Sequence, residues 1–294
     1  MACPDKNKPM TELTTLNALI NLLDEPDEAA YGLIRDRILL LGQDAVVPLE
    51  KVLEGTFNTA VSERIRSIIR KINMDNLYVD LVNWINVSSS DLLSGFVIVT
   101  KTEFPHLDEK DIVIRIEQLK MDVWIELHEN LTALENVKVL NHILFDLHHF
   151  AGNQGNIMAA QNSYVNILLD SKKGSPLSLG MLYIILAQKL GLPVYGVNLP
   201  QHFILAYLTS TGIENPGEND VLFYVNPFNN GAVFTRREIE LFIGQMKIKP
   251  ERSFFEPCSN PDIIHRLINN LLFAHTKQDP EKTEDLENLL TAFE

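Results

Sequence analysis

Apolar residues recur three and four positions apart through the first half of the chain, from Thr11 to about Phe150, with charged residues between them. This spacing puts apolar side chains on one face of a helix and is typical of amphipathic α-helices. The longest periodic segment runs from Asp108 to Glu129, and a further helix is predicted from Glu135 to Phe150. The first half of the chain is therefore predicted to be helical almost throughout.

Shorter helices are predicted near the N-terminus. An apolar stripe from Leu33 to Leu41 ends at Gly42, a residue type that commonly ends helices. Asp44 follows two residues later, where its carboxylate is placed to cap the next helix. Another helix is predicted from Val61 to Ile72, because isoleucines recur there at helical spacing between basic residues.

The pattern changes at Gly152–Asn156 (GNQGN), which has the composition of a turn. A helix is predicted from Asn162 to Ser171, and a second helix follows Gly174–Pro176 (GSP) and runs to about Leu190, before Gly191. Three strands rich in Val, Ile, Phe, Tyr and Leu come next: Val194–Asn198, Phe203–Leu208 and Leu222–Val225.

Helices return after these strands. Thr235 and Glu238 have the spacing of a capping box, which predicts a helix from Thr235 to Gln245. Asn260-Pro261 opens a helix to about Thr276, and a last amphipathic helix is predicted from Glu281 to Phe293. Helices on both sides of a small antiparallel meander predict an α+β fold.

The charge balance excludes one class of partner. The chain of 294 residues has 25 Lys and Arg against 39 Asp and Glu, which gives a net charge of −14. Its sequence pI is about 5.0. A protein held to nucleic acid mainly by phosphate attraction needs charge of the opposite sign, so we expect no nucleic-acid partner.

Apolar run lengths and cysteine usage predict a cytoplasmic protein. The longest apolar stretches are shorter than the ~20 residues needed to cross a bilayer, so we expect no membrane span. Residues 1–10 lack the apolar run of a secretory signal. Two cysteines, Cys3 and Cys258, do not suggest a disulfide framework, which fits a reducing compartment. The oligomeric state stays open.

Three motifs stand out in the second half: Gly174–Gly180 (GSPLSLG), Gly191–Phe203 (GLPVYGVNLPQHF) and Tyr224–Gly231 (YVNPFNNG). In this order and spacing they resemble the transglutaminase-like family related to the bacterial SirB protein. Asp111–Glu117 (DIVIRIE) resembles the upstream helix of that family, and Asn269–Leu272 (NNLL) resembles the start of its C-terminal tetratricopeptide-like helices. The resemblance extends from about residue 91 to the C-terminus.

The N-terminal helices carry a separate resemblance. Arg35–Gly42 (RDRILLLG) and Ala45–Leu49 (AVVPL) are similar to a HEAT-type helical hairpin. We predict three parts of the chain: a HEAT-like helical segment at residues 11–90, a transglutaminase-like (papain-like) domain at residues 91–250, and tetratricopeptide-like helices at residues 251–294.

Active members of the wider superfamily use a cysteine at a helix start, a histidine on the next strand and an aspartate on the following one. A helix N-terminus and a histidine lower the pKa of a thiol, and the third group orients the imidazole ring. By resemblance, His202 takes the histidine position and Asn226 the aspartate position, whereas the cysteine is missing. An ungapped count places Pro176 there, and a small shift offers Ser175 or Ser178.

Each of these residues also has a structural interpretation. Ser175 precedes a proline, as helix N-cap residues often do, while Ser178 lies in the first turn and is the better nucleophile candidate. His202 is either a pocket residue or a hydrogen-bonded structural histidine. Asn226 either orients an imidazole or initiates a turn. Gln201 stands where the family commonly has glycine.

The leading hypothesis is a non-catalytic transglutaminase-like protein that acts in binding or regulation, with a degenerate site at Ser178, His202 and Asn226. Ser175, Gln201, His202 and Asn226 are its predicted ligand-binding residues, and we expect a protein or peptide partner. We expect no cofactor, because the sequence has no glycine-rich motif of the kind that binds phosphates or dinucleotides. We expect no metal ion, because it has no two groups of His, Cys, Asp or Glu at metal-ligand spacing.

Two other functions remain open. One is a hydrolase or acyl-transfer enzyme that uses Ser178 or Ser175 with His202 as base and Asn226 as the orienting residue. The other is a structural adaptor whose space around His202 is filled by apolar side chains.

Overall fold

The computed structural model describes residues 15–209, 220–276 and 278–294. The described chain divides into two compact units, which separate between Val79 and Asp80. Cys3 lies outside the described residues. The predicted boundaries at residues 90 and 250 stay predictions.

The first unit is helical. Residues 15–20 are helical, and three helices follow: α1 (Glu28–Leu39), α2 (Val46–Gly55) and α3 (Thr59–Asn83), the last of which continues past Val79. The Asp27 side chain caps α1 by accepting hydrogen bonds from the backbone N–H groups of Ala29 and Ala30. Fully buried Leu23, Ile38, Leu49 and Ile65 form the centre of its core, whereas Leu33, the first residue of the predicted stripe, is 76% exposed.

The predicted cap at Asp44 is wrong. Asp44 lies inside a 3₁₀ turn at Gly42–Ala45, and Ala45 occupies the N-cap position of α2 without a side-chain cap bond. Because the 3₁₀ turn runs directly into α2, Ala45 already has helical dihedral angles, φ −82° and ψ −20°. No extended N-cap position exists there for an aspartate to fill.

The second unit contains most of the helices, and two π-helical turns, Trp84–Ser88 and His142–Leu147, lie among them. The second turn ends the helix that the sequence predicts to continue to Phe150. The described helices are α4 (Leu92–Lys101), α5 (Glu109–Glu126), α6 (Ala133–Asn141), α7 (Val165–Ser171), α8 (Pro176–Lys189), α9 (Arg236–Gln245), α10 (Asn260–His275) and α11 (Pro280–Leu290). None of these helices, nor any described helix of the first unit, combines the length and apolarity needed to cross a bilayer.

Two sheets complete the second unit. Short strands β1 (Ala151–Gly152) and β2 (Lys173–Gly174) pair in parallel. The main sheet is antiparallel in chain order, with strands β3 (Val194–Leu199), β4 (His202–Leu208), β5 (Val221–Asn226) and β6 (Ala232–Phe234). The predicted α+β class is confirmed, and β6 adds a fourth strand that the sequence pattern did not indicate.

Helices cover both faces of the main sheet. Helix α8 packs on one face, where Gly180 lies so close to Phe203 that a Cβ atom on Gly180 would meet the phenyl ring at 2.6 Å. Helix α9 covers the other face, where Ile239 and Ile243 join the buried cluster that contains Ile204, Ala206, Leu208 and Tyr224. The central strand β4 is therefore buried on both faces.

Helix α5 is apolar on two opposite faces. Its buried face consists of Ile112, Ile116, Leu119 and Val123. On the other side, Val113, Ile114, Met121, Trp124 and Ile125 are exposed by 45 to 70%. Only the first set loses its contact with water on folding, so only that set contributes substantially to stability.

We expect Ile116→Ala to lower the free energy of unfolding by about 2–5 kcal/mol, because it leaves a cavity in a closed core. The matched substitution on the same helix, Ile125→Ala, removes a side chain that is 70% exposed and is expected to change it by less than about 0.5 kcal/mol. Urea denaturation of the two variants checks this difference. Equal losses would contradict the assignment of the two faces.

Candidate functional site

Helix α8 begins with a reciprocal cap formed by the two candidate serines. Ser175 is the N-cap, and Pro176 occupies the first helical turn. The Ser178 N–H donates to Ser175 Oγ at 3.1 Å, and the Ser175 N–H donates to Ser178 Oγ at 2.9 Å. The side chain of Ser178 is fully buried, whereas Ser175 keeps 6% of its surface exposed. Both hydroxyl groups therefore accept hydrogen bonds from backbone amides.

A tight turn connects β3 and β4. Leu199 pairs with His202, which leaves Pro200 and Gln201 as the two residues of the turn. Gln201 has a φ of 58°, in the left-handed region where a side chain is unfavourable and glycine is not. The turn thus keeps the backbone that glycine favours, although glutamine stands at this position.

The register of β4 places His202 and Phe203 on opposite faces of the sheet. Phe203 lies on the α8 face, against Gly180. His202 is paired with Leu199, whose side chain belongs to the cluster under α9. Its exposed imidazole lies against Phe242 of α9, with 4.7 Å between the ring centroids. His202 therefore faces away from the start of α8.

Asn226 ends β5 and shapes the loop that follows it. It lies two residues after Tyr224, which packs under α9, so strand alternation puts both on that face. Its Oδ1 accepts a hydrogen bond from the Phe228 N–H at 3.1 Å, and its carbonyl oxygen accepts from the Gly231 N–H at 2.9 Å. No hydrogen bond joins Asn226, His202, Ser175 or Ser178 across this part of the described chain, except between the two serines.

The loop after Asn226 is held by a buried polar chain. Asn141 Nδ2 donates to the carbonyl oxygen of Gly231 at 2.9 Å, and the Tyr183 hydroxyl donates to Asn141 Oδ1 at 3.1 Å. Burial raises the pKa of Tyr183, so this hydroxyl stays a proton donor. A Cβ atom at Gly231 would overlap the Asn141 amide, and φ is +71° there, so only glycine fits.

A pocket of about 150 Å³ lies beside the start of α8. Its lining combines apolar side chains with amide, hydroxyl and guanidinium groups: Ile157, Met158, Ala159, Ser163, Ser175, Pro176, Leu177, Gln201, Phe203, Arg266 and Asn270. His202, Asn226 and Ser178 do not line it. Ligand sites are typically concave and combine apolar side chains with a few convergent polar groups, and this lining has both.

Arg266 of α10 holds the β3–β4 turn from the pocket side. Its guanidinium donates to Asn198 Oδ1 at 3.1 Å, to the His202 carbonyl oxygen at 2.9 Å and to the Leu199 carbonyl oxygen at 3.3 Å. Burial lowers the pKa of Arg266. Within the described chain, Arg266 forms no ion pair with a carboxylate. Its positive charge is solvated by these neutral oxygens and by the Phe203 ring, whose centroid lies 5.8 Å from the guanidinium carbon.

Cys258 does not replace the missing nucleophile. Its backbone N–H donates to the Gly196 carbonyl oxygen at 2.8 Å, and its thiol is not disulfide-bonded. Burial and, to a smaller extent, the Asp262 carboxylate raise the thiol pKa to about 12. A reactive cysteine needs the opposite shift, because the thiolate is the nucleophile.

The structure thus separates the predicted site residues into two groups. Ser175 and Gln201 meet at the pocket, while His202 and Asn226 lie on the opposite face of the sheet. Arg266 and Asn270 also line the pocket, but the sequence did not indicate them as site residues. Each is one polar residue of an ordinary amphipathic helix, and the Asn269–Leu272 motif indicated only the family of that helix. The catalytic and ligand-binding roles of all these residues stay predictions.

Comparison with known proteins identifies the class of protein. The model of the transglutaminase-like superfamily matches residues 110–269, more than half of the chain. This range contains the three motifs, the main sheet and helix α8. The chain belongs to the transglutaminase-like superfamily.

Curated relatives are distant. Over 147 residues the chain is 29% identical to F-box only protein 21 of Homo sapiens, which covers 50% of this chain and 23% of that protein. It is 25% identical over 201 residues to a UPF0162 protein of Xylella fastidiosa strain 9a5c, covering 64% of this chain and 66% of the relative. The chain therefore spans about a quarter of the F-box protein's length. No solved structure gives a significant match.

Replacing Gln201 by glycine is expected to raise the free energy of unfolding by about 0.5–1 kcal/mol, because it removes the side chain from a left-handed position. The matched control is Gln118→Gly in the interior of α5, which is expected to lower it by about 0.5–1 kcal/mol. Urea denaturation measures both. A loss of stability in both variants would contradict the turn geometry.

Proposed function

We propose that this chain is a non-catalytic member of the SirB-related branch of the superfamily and that it binds a peptide or protein ligand at the pocket beside α8. The observation that carries the proposal is the separation of the candidate triad across the sheet. The serine hydroxyls lie at the start of α8, and the His202 ring lies against Phe242 on the other face. A base and a nucleophile must come within hydrogen-bond reach to act together.

The state of the two hydroxyl groups supports the same interpretation. Ser178, the stronger nucleophile candidate, has no exposed surface, and its oxygen accepts from the Ser175 N–H. Moving either serine to attack a substrate breaks the cap of α8, which typically stabilises a helix by about 1 kcal/mol. These contacts give the serines a structural role that requires no catalysis.

The pocket distinguishes this proposal from a purely structural adaptor. A space of about 150 Å³ remains open between Ser175, Gln201 and Arg266, lined by both apolar and polar groups. A filled core would not leave polar side chains facing such a space. We therefore propose binding rather than scaffolding as the role of this part of the fold.

One feature favours the alternative, a hydrolase or acyl-transfer enzyme. Ser175 lines the pocket and keeps a small exposed surface, so a substrate can approach its hydroxyl. That enzyme needs His202 to move from Phe242 to the opposite face of the sheet. Because the chain resembles active superfamily members, the enzyme hypothesis is tested directly.

Amide and ester substrates distinguish the two functions. We expect the full chain, Ser175→Ala and His202→Ala to give the same background rates of p-nitrophenyl acetate hydrolysis and of ammonia release from glutamine-containing peptides with an amine acceptor. Circular dichroism of each variant confirms that it is folded. Turnover above background that disappears in His202→Ala would overturn the non-catalytic proposal and support the enzyme; its loss in Ser175→Ala as well would assign the nucleophile to Ser175, and its retention there to Ser178.

Other parts of the proposal rest on resemblance. We propose that the N-terminal helices act as a HEAT-like interaction segment and that α10 and α11 belong to a tetratricopeptide-like arrangement, each serving a protein partner. The unpaired thiol of Cys258 supports action in a reducing compartment such as the cytoplasm.

A further inference from the structure

The lining of the pocket beside α8 is positively charged, although the protein as a whole is acidic. The whole chain has a net charge of −14, yet the described residues that line the pocket include no carboxylate and one cation, Arg266. Both Nη atoms of Arg266 donate to neutral oxygens, those of Asn198, Leu199 and His202, and the guanidinium lies over the Phe203 ring, 5.8 Å from its centroid. Within the described chain, the Nε–H group of Arg266 has no hydrogen-bond acceptor. A partly buried cation is stabilised when an anion replaces the water it has lost.

The rest of the lining limits what accompanies the anion. The accessible apolar surface of the pocket comes mainly from Ile157 and Met158 at the rim, which are 41% and 69% exposed, whereas Leu177 and Phe203 behind them keep only 2% of their surface exposed. A volume of about 150 Å³ is similar to that of a cavity that holds benzene. It therefore suits a group of side-chain size beside the anionic head.

We propose that this pocket binds a free carboxylate next to a branched apolar group, with the carboxylate facing Arg266 and the apolar group against Ile157 and Met158. The C-terminus of a peptide that ends in leucine has this chemistry, and so does a short branched fatty acid. The inference rests on the proposed binding function and names the ligand class of that same pocket.

Isothermal titration of the full chain tests the carboxylate. The probes are acetyl-Ala-Ala-Leu with a free C-terminus, the same peptide with a C-terminal amide, and 4-methylpentanoate. We expect the free acid to bind at least about fivefold more tightly than the amide, as charge-assisted pairing with an arginine requires. Binding of 4-methylpentanoate as tight as that of the peptide acid assigns the site to small acids, and weaker binding assigns it to peptide C-termini.

Two exposed methionines provide a matched pair of variants. Met158→Glu puts a negative charge at the pocket rim and is expected to weaken binding of the free acid at least about fivefold. Met121→Glu puts the same charge on exposed α5 and is expected to leave binding unchanged. Because both side chains are exposed, both variants are expected to fold.

Equal binding of the acid and the amide would overturn the carboxylate inference. The absence of binding by every probe would also overturn it, and so would an equal effect of Met158→Glu and Met121→Glu on binding. The proposed absence of catalysis is judged separately, by hydrolysis of the amide and ester substrates. Turnover together with acid-selective binding would overturn the non-catalytic proposal and leave the ligand class intact.

Discussion

The alternation of side chains along β4 is the constraint on which the site depends. The turn at Pro200–Gln201 fixes the register, so that Leu199 pairs with His202. Consecutive residues of a strand point to opposite faces, so either His202 or Phe203 faces α8, but not both. Phe203 takes that face, and the imidazole is left against Phe242.

Packing around Phe203 explains much of the motif pattern without catalysis. Gly180 of α8 and Gly196 of β3 both lie against its ring, and a Cβ atom on either would approach the ring to 2.6 Å. Gly231 is similarly required by the Asn141 amide in the third motif. Each motif thus contains a residue that the fold requires, so the presence of the motifs does not by itself imply catalysis.

Local signals predicted α8 and the capping box of α9 correctly, because an N-cap serine, an N1 proline and a C-terminal glycine act within a few residues of one another. Strand β6 was missed because it has only three residues, which is too short for an alternating pattern to be recognised. The orientation of His202 was not predictable, because β4 is apolar on both faces. Its sequence therefore lacks the alternation of polar and apolar residues that would show which residues face α8. The position of Arg266 depends on how α10 packs against the β3–β4 turn, which no local pattern encodes.

The position of the His202 ring is the most direct test of this account. A ¹³C-edited nuclear Overhauser experiment on the full chain, with assigned aromatic and serine side chains, reports which protons lie near it. Because the centroids of the His202 and Phe242 rings are 4.7 Å apart, we expect cross-peaks between the protons of these two rings. Cross-peaks from His202 to the β-protons of Ser175 or Ser178, without contact to Phe242, would show an assembled site and contradict it.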